Sequence, residues 1–510
     1  MPTTKPKPAS PFGPNILPAQ STTSHWQRST AGNAFATCGM NDALPADADV
    51  VIIGSGLSGE SRRTFQSTDN RRGDRPQPAV LSQPPGLGGH PRSPRGVLWR
   101  LGKERRALSP GRLPRLHLFR PAARPRASQE DPRVGGNHIE QVGFGSGGEA
   151  VADVRVAAFV DKHNIECELV LRPTMDVCLT DSFEEYETKA FGQAKAGGID
   201  LSGVKHLSKD VTAKECQAPD AVAGWQWSAS SVNPLKLAYG VYRACYALGG
   251  FGLYAYAPVT EVVPNATSSH PWTVVTPRGS VNAAKVVHAT NAYSKLLLPE
   301  LDGLVQPFRA GAVKLAPAPN RAFKPLQPTM SLRRELHHFY SVAPQPDGGI
   351  VLSCSRTWTG QSPDEYQDLF DNMDDSYAPL VQAMDTVTQV AKALPSAQYG
   401  PSRAGGVESN WSGIIGFTPD AVPFVGPLPD KPGQYVIAGF NGHGMARIFH
   451  TAPCLADVMV GGMDKWDPTV PTAFIITTER LEKLRAMDTD SVVKSSEEAK
   501  LGQVNERAKL

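Results

Sequence analysis

The clearest indication of chemistry in the sequence is a Gly-Ser-Gly-Leu-Ser-Gly run at positions 54–59. Glycines at this spacing allow a tight turn, a close approach of the backbone to a pyrophosphate and tight packing of the following helix. The predicted strand Asp47–Ile53, which ends in four β-branched residues, leads directly into this loop, as in a Rossmann βαβ unit. The pattern predicts dinucleotide binding, with a purely structural turn as the alternative, and the residues expected to bind are Gly54, Ser55, Gly56 and Gly59.

The continuation expected after this loop is missing from the sequence. A Rossmann unit needs an amphipathic helix next, but residues 60–73 offer Phe65 almost alone for packing. A second strand should then end in an acidic residue that binds the ribose hydroxyl groups. The nearest candidate strand is Ala79–Leu81, which Ser82 and Gln83 follow, so the sequence lacks this carboxylate.

The charge of the chain is concentrated in one segment. The 510 residues carry a formal net charge of +3, but residues 60–128 contain fifteen Arg and one Lys against four acidic residues. This segment also has ten prolines and neither Ile nor Tyr, a composition that predicts disorder. Residues 60–137 are therefore expected to be a disordered insertion or the product of a shifted reading frame. No aromatic residues are interleaved with the arginines, so nucleic-acid binding is not favoured.

The cysteines and the end of the chain bear on the compartment. The seven cysteines form no CxxC pair and no signal peptide is evident, which predicts reduced thiols inside the cell. No metal site and no membrane span is expected. The ending Ala508-Lys509-Leu510 is similar to a peroxisomal address, so we expect the peroxisome, with the cytoplasm as the alternative, and an import receptor as partner.

The remaining sequence predicts a chain of alternating strands and helices. Helices are predicted over residues 151–160, 183–196 (with Ser182 and Glu185 as a capping box) and 235–248. Strands are predicted over 167–171 and 175–179, followed by a meander through 252–256, 258–263, 272–276 and 285–291. The predicted organisation is an N-terminal extension with little structure (1–46), the first strand and loop (47–59), the anomalous segment (60–137), two interleaved domains (138–487) and a flexible tail (488–510).

A second glycine loop occurs near the end of the chain. The predicted strand 435–439 is followed by Gly442-His443-Gly444, with a helix starting near Met445. Backbone amides and the positive end of a helix dipole at such a position suit an electron-rich ring edge or a phosphate. A glycine-rich turn with a surface histidine is the alternative. We predict that Gly442, His443, Gly444 and Met445 contact the cofactor.

Several of these segments resemble one family. Residues 286–293 (VVHATNAY), 411–427 (WSGIIGFTPDAVPFVGP) and 439–445 (GFNGHGM) are similar to motifs of the FAD-dependent oxidoreductases of the D-amino-acid oxidase superfamily. More narrowly, they resemble the branch of glycine, sarcosine and γ-glutamylputrescine oxidases of the fungal type. The resemblance implies an α/β fold, in which a Rossmann-like FAD domain carries an inserted α+β substrate domain with a mixed or antiparallel sheet. It also implies that Val259 and Ala289 contact FAD.

The same resemblance implies a reaction. Hydride transfer from an amine or amino acid to the flavin would be followed by reduction of O2 to H2O2. The alternative is a catalytically impaired product of a damaged gene model that keeps only part of the FAD site. Tyr340 and Arg309 are candidate substrate contacts, against a core tyrosine and a surface ion pair as alternatives. His337 and His338 would lie on opposite faces of one strand.

Overall fold

The computed structural model describes residues 22–56, 79–81, 149–266, 269–317, 326–336, 338–395 and 406–486. Some of the predictions concern residues outside these ranges: Gly59, the segment 60–137 apart from 79–81, His337 and the Ala508-Lys509-Leu510 ending.

The described residues form helices and strands in alternation. The helices are α1 (His25–Ser29), α2 (Glu149–Lys162), α3 (Asp181–Ala196), α4 (Lys209–Cys216), α5 (Pro234–Leu248), α6 (Pro363–Gln367), α7 (Leu380–Ala393), α8 (Gly444–Gly461) and α9 (Thr478–Ala486). The first nine strands are β1 (Asp47–Ile53), β2 (Ala79–Leu81), β3 (Val170–Cys178), β4 (Lys205–Ser208), β5 (Ala223–Ser231), β6 (Gly252–Tyr254), β7 (Glu261–Pro264), β8 (Trp272–Thr276) and β9 (Gly279–His288). The others are β10 (Gln306–Leu315), β11 (Thr329–Arg333), β12 (Phe339–Pro344), β13 (Ile350–Ser353), β14 (Val407–Phe417), β15 (Phe424–Pro427) and β16 (Gln434–Ala438).

The first sheet has a parallel centre, with the strand order β15-β16-β9-β1-β2-β6. Strand β1 pairs in parallel with β9 on one side and with β2 on the other, with Val51 opposite Ala79. The predicted second strand Ala79–Leu81 is thus confirmed. The first half of β9 also pairs with β8 and, through it, with β7, which confirms the last three strands of the predicted meander. Its predicted first strand, 252–256, instead gives β6, which pairs in parallel with β2.

Apolar residues on both faces of the first sheet explain its burial. On one face Ile52, Val287 and Ile437 pack with residues of α2, α5 and α8. On the other face Val51 and Ile53 pack against the meander. A strand covered on both faces needs a continuous apolar run, and the sequence 50–53 provides one.

The second sheet is mixed and has the order β14-β10-β13-β12-β11-β3-β5-β4. Helix α7 covers one face, which we call the back face, where it packs against Met330, Leu332 and Val342. Side chains alternate along a strand, so Arg333, Ser331 and Ser341 lie on the opposite, front face. The two sheets and their helices confirm the predicted α/β fold with an additional α+β substrate domain.

The N-terminal extension is more structured than predicted. Helix α1 begins with a capping box between Ser24 and Gln27. Thr22 hydrogen-bonds to β14, and the ring of Phe35 packs at a tilt against Tyr242 of α5, with the ring centroids 5.5 Å apart. The prediction of little structure was wrong from Thr22 onward, because this segment gains its packing partners from both sheets.

Two local predictions are corrected by long-range pairing and by capping geometry. The predicted strands 167–171 and 175–179 form one strand, β3, since Pro173 remains paired opposite Ser228. The predicted cap Ser182 lies inside α3. Thr180 caps this helix instead, with its extended backbone and a hydroxyl that accepts from the Phe183 amide at 3.3 Å.

Candidate functional site

The predicted cofactor-binding residues follow the carboxyl ends of parallel strands. Strands β6, β2, β1, β9 and β16 run in the same direction, so their carboxyl ends share one edge of the first sheet. Ligands of such sheets bind in the crevice outside this edge, where the chain crosses to opposite sides of a central strand. The first glycine loop follows β1, Ala289 follows β9, and the second glycine loop follows β16.

The first glycine loop has the conformation and the space that a bound nucleotide needs. Gly54 has a φ of +109°, and a Cβ built there would lie 2.5 Å from the carbonyl oxygen of Ala289. Only glycine fits so close to the neighbouring strand end. A Cβ at Gly56 would meet nothing within 4 Å, so this glycine borders open space. The carbonyl of Ser55 is fixed by the buried Tyr242, whose hydroxyl donates to it at 2.7 Å.

Asn291 joins the end of β9 to the second glycine loop. Its side-chain oxygen accepts hydrogen bonds from the amides of Gly439 (3.0 Å) and Phe440 (3.2 Å). Asn291 has a φ of +45°, a region that asparagine tolerates better than most residues. One side chain therefore satisfies two amides at the point where β16 turns into the loop.

Asn441 connects the same loop to the second sheet. Its side-chain oxygen accepts a hydrogen bond from the backbone amide of Thr418 at 2.8 Å, and its backbone amide donates to the carbonyl of Gly416 at 3.0 Å. Both partners flank Phe417 at the end of β14. Asn441 thus holds the end of β14, in the second sheet, directly against the second glycine loop.

His443 precedes α8 and is uncharged at neutral pH. Desolvation first, and then the positive charges of Arg447 and Arg333, lower the pKa of His443 to about 4. Arg447 is buried in α8, and Arg333 lies on the front face of the second sheet. Since the charge of Arg333 acts on His443, the front face at Arg333 lies toward the second glycine loop.

Arg333 pairs with a carboxylate of the second sheet and stacks on an aromatic ring. Its Nε lies 3.4 Å from Asp176, and its guanidinium stacks on Phe339 at 4.2 Å. Desolvation first, and then the charge of Asp176, raise the pKa of the buried Glu187 above its ordinary value. Glu187 is thus protonated at neutral pH, and Asp176 balances the charge of Arg333.

The two predicted substrate contacts lie on the back face of the second sheet. Tyr340 packs in the core under α7, and its hydroxyl lies 3.1 Å from His338. Arg309 is 5% exposed and donates to Asp368 at 2.6 Å. The geometry favours a core tyrosine and an ion pair, which were the alternatives for these residues. The pair is buried on its arginine side, contrary to the expected surface pair.

Three further residues were predicted to contact the cofactor: Val259, Gly444 and Met445. Val259 follows the carboxyl end of β6 and packs against the core cluster beneath β1. Gly444 is the first residue of α8, and Met445 is 39% exposed beside it. Val259 is therefore at the expected edge of the sheet, whereas Gly444 and Met445 present the start of an 18-residue helix.

The residues present fit FAD at the pyrophosphate and flavin ends. Gly56 and Gly442 both border open space, Gly442 with a φ of +84°, so backbone amides can approach a ligand there. The amino end of α8 adds a positive dipole beside them. At the ribose end the fit is weaker, because β2 leads into Ser82 and Gln83 and not into an acidic residue.

A cavity of about 1020 Å³ lies elsewhere, between α2 and strands β3 and β5. Its lining is mainly apolar and includes Leu171 and Trp227. We do not place the site there, since none of the glycine loops borders it. In the described ranges, no group of three or more His, Cys, Asp or Glu residues could hold a metal ion.

The comparison with protein families decides the classification. The family described as DAO, FAD dependent oxidoreductase, matches residues 134–458. The chain belongs to this family. The match starts after the first glycine loop, so that loop is assigned to the family fold by the structure. The predicted family is therefore confirmed, while the fungal type remains a prediction.

The following relatives of this DAO-family chain are remote in sequence. Mitochondrial dimethylglycine dehydrogenase of Mus musculus is 24% identical over 250 residues, which cover 46% of this chain and 27% of that protein. The chain thus matches about a quarter of the length of this relative. Glycine oxidase from Geobacillus kaustophilus has a TM-score of 0.56 at 18% identity, over 85% of this chain and 99% of that one. L-amino acid deaminase from Proteus vulgaris has a TM-score of 0.56 at 14% identity, over 86% of this chain and 98% of that one. These structures establish the fold.

Sequence reasoning missed several residues at this site. Asn291 and Asn441 act through loop geometry, and Arg333 through its face on a strand. A further residue, Arg356, follows β13 in a loop and stacks on two rings of the front face. The sequence signal for Asn291 and Asn441 was their place inside family motifs, whereas Arg333 and Arg356 had none.

Proposed function

We propose that this chain oxidises the amine group of a small molecule, with FAD as its cofactor and O2 as the final acceptor, giving H2O2. The observation that carries the proposal is the meeting of two glycine loops and the start of α8 at one edge of the first sheet. When bound, FAD supplies the two-electron acceptor for a hydride from the carbon next to the amine nitrogen.

The residues of the chain would bind and orient the reactants. Backbone amides near Gly54 and Gly56 are suited to the pyrophosphate, and those at Gly442 and Gly444 to the flavin. The neutral His443 adds a polar group without adding a charge. The positive charge of the buried Arg447 acts on His443 and favours negative charge in the same place, such as that of a reduced ring.

The experiment is to purify the protein and record its visible spectrum before and after adding FAD. Flavin bands at near-stoichiometric occupancy support the proposal. A protein that stays colourless with added FAD would refute it and would favour a damaged gene product. Consumption of O2 and formation of H2O2 with glycine and N-methylglycine then test the acceptor, and turnover with an artificial dye alone would exclude O2.

We also propose import into peroxisomes through Ala508-Lys509-Leu510, which resembles their carboxyl-terminal address. Peroxisomes handle H2O2, which fits the proposed product. A fluorescent protein that carries this tripeptide at its carboxyl end should co-localise with peroxisomes, and a diffuse signal would refute the proposal.

A further inference from the structure

Two buried carboxyl groups lie side by side between α3 and the second sheet. Glu187 of α3 is 6% exposed, and Asp176 of β3 is 9% exposed. The carboxyl group of Glu187 is hydrogen-bonded to that of Asp176. Two carboxyl groups this close in a desolvated place cannot both be ionised without strong repulsion, so the pair holds one proton between them.

Arg333 is the one cation that contacts this pair in the ranges that the structure describes. Its Nε lies 3.4 Å from Asp176, whereas no Lys or Arg of those ranges lies within 4.0 Å of Glu187. The guanidinium stacks on Phe339 at 4.2 Å and lies 5.8 Å from the ring of Phe183. Phe183 and Glu187 are one turn apart on the same face of α3. One fixed positive charge therefore meets two carboxyl groups.

The other titratable groups beside this cluster do not change its charge near neutral pH. They are Cys178 of β3 and two residues of α3, Tyr186 and Glu184. Burial raises the pKa of Cys178 and raises that of Tyr186 to about 12, so both stay neutral. The half-exposed Glu184 lies 3.5 Å from His206, on the outer side of α3.

The charge of the cluster therefore depends on Glu187. Desolvation first, and then the charge of Asp176, raise the pKa of Glu187 to about 8. While Glu187 holds its proton, the charges of Asp176 and Arg333 balance. Once it loses the proton, the same place carries one negative charge.

This cluster lies on the side of the second sheet that looks toward the cofactor loop. Asp176 pairs opposite Ser331, which lies on the front face together with Arg333. The charge of Arg333 acts on His443, which precedes α8. A hydride transferred to FAD adds negative charge to its ring, and a second carboxylate in this place would oppose that charge.

We propose that Glu187 is a positioning residue of the reaction, which keeps Asp176 paired with Arg333 and keeps the front face beside the cofactor free of net negative charge. This inference rests on the proposed function. It predicts that the protein stabilises negative charge on the flavin less well once Glu187 has lost its proton.

The first test measures the proton on Glu187 in the full chain as purified. A glutamate of the unfolded chain loses its proton at about pH 4.3. Between that pH and about pH 8 the folded chain binds one proton more, so this group makes the free energy of unfolding fall as the pH rises. Glu187→Gln keeps a neutral donor and removes this fall. Its free energy of unfolding in urea, relative to the wild type, should therefore be higher at pH 9 than at pH 5.

Glu185→Gln is the matched control for this test, because Glu185 lies on the same helix and is exposed. Its free energy of unfolding relative to the wild type should be the same at both pH values. If Glu187→Gln behaves like this control, Glu187 is not the protonated member of the pair and the proposal is overturned.

The second test uses sulfite and the FAD-loaded protein. The sulfur lone pair of sulfite forms a bond to N5 of an oxidised flavin, no group leaves, and the ring gains the negative charge. The visible band is bleached, so a titration gives the Kd. The ratio of the wild-type Kd to that of Glu187→Gln cancels the pH dependence of sulfite itself. We expect a ratio near one at pH 6 and about 3- to 10-fold higher at pH 9.

A purely structural role of Glu187 would give the same Kd ratio at both pH values, and this result would overturn the inference while leaving the proposed function intact. A colourless protein that does not take up FAD would refute the proposed function itself.

The third test changes the other member of the pair. Asp176→Asn removes the neighbouring charge that raises the pKa of Glu187. With this substitution present in both proteins, the rise in the Kd ratio should begin at a lower pH than before. A rise that begins at the same pH or at a higher pH would show that Asp176 does not share its proton with Glu187, and it would overturn the proposal.

Discussion

Substitution of Gly54 by alanine should destabilise the protein strongly, because two separate effects act at this position. Its φ of +109° is one that residues with a side chain rarely adopt. In addition, the new Cβ would lie 2.5 Å from the carbonyl oxygen and 2.9 Å from the carbonyl carbon of Ala289. Both contacts are to backbone, so β1 and β9 would have to separate.

The magnitude can be worked out from these two parts. A strained backbone conformation costs about 1–3 kcal/mol, and overpacking of a tight site costs about 1–3 kcal/mol. We expect Gly54→Ala to lower the free energy of unfolding by about 2–6 kcal/mol, a large part of the roughly 5–15 kcal/mol typical of folded proteins.

The control is Gly279→Ala, at the turn between β8 and β9. Gly279 has a φ of +129°, but a Cβ there would meet nothing within 4 Å. This variant should therefore show the conformational cost alone. Urea unfolding of both variants and the wild type, with the FAD content of each, measures the difference. If the two variants lose the same free energy, the close contact with Ala289 is not what requires glycine at position 54.

Three further predictions concern polar groups with defined hydrogen-bond partners. Asn291→Ala should lower the free energy of unfolding in urea by about 2–4 kcal/mol and reduce the FAD content, because two loop amides lose their acceptor. Asn291→Asp keeps an acceptor, so its free energy of unfolding should fall less. Equal losses in the two variants would contradict this role of Asn291. His288 is fully buried, 2.8 Å from Gln434, and desolvation lowers its pKa to about 4. In the unfolded chain this histidine binds a proton below about pH 6.5, whereas in the folded chain it does not. The free energy of unfolding should therefore fall by up to about 3 kcal/mol as the pH drops toward 4. For His288→Gln, the difference between the free energies of unfolding at pH 7 and pH 4 should be smaller, and an unchanged difference would refute this role of His288. Desolvation raises the pKa of Asp347, but hydrogen bonds from Lys314 and Gly349 outweigh it and hold this pKa below its ordinary value. Asp347→Asn should therefore lower the free energy of unfolding more at pH 7 than under acid conditions, where the wild-type carboxylate is itself protonated. Urea unfolding at both pH values measures this, and an equal loss at both would exclude an ionic role.

The organisation of the first sheet could be predicted from local sequence. The apolar run of β1, the short β2 at Ala79–Leu81 and the meander leading into β9 all appear in the structure. Each depends on residues that are neighbours in the sequence, so a single window carries the signal. The glycine loops are local signals as well, because the backbone conformation of a turn limits which residues it accepts.

The faces of the second sheet could not be predicted in the same way. Tyr340 and Arg309 looked suitable for a substrate, but strand register places both on the back face. Register depends on pairing with distant strands, and a shift of one residue moves a side chain to the opposite face. The folded part of the N-terminal extension could not be predicted for the same reason, because Phe35 and Thr22 contact residues far along the chain.

The sequence by itself determined the family, the positions of the glycine loops and the missing ribose carboxylate, since each is written in contiguous residues. Only the tertiary structure determined which charged groups meet at the site. Arg356 has its place because rings from β10 and β14 close around it, and Arg333 because β3 brings Asp176 beside it. Electrostatic environment depends on three-dimensional distance and desolvation, which no stretch of sequence encodes alone.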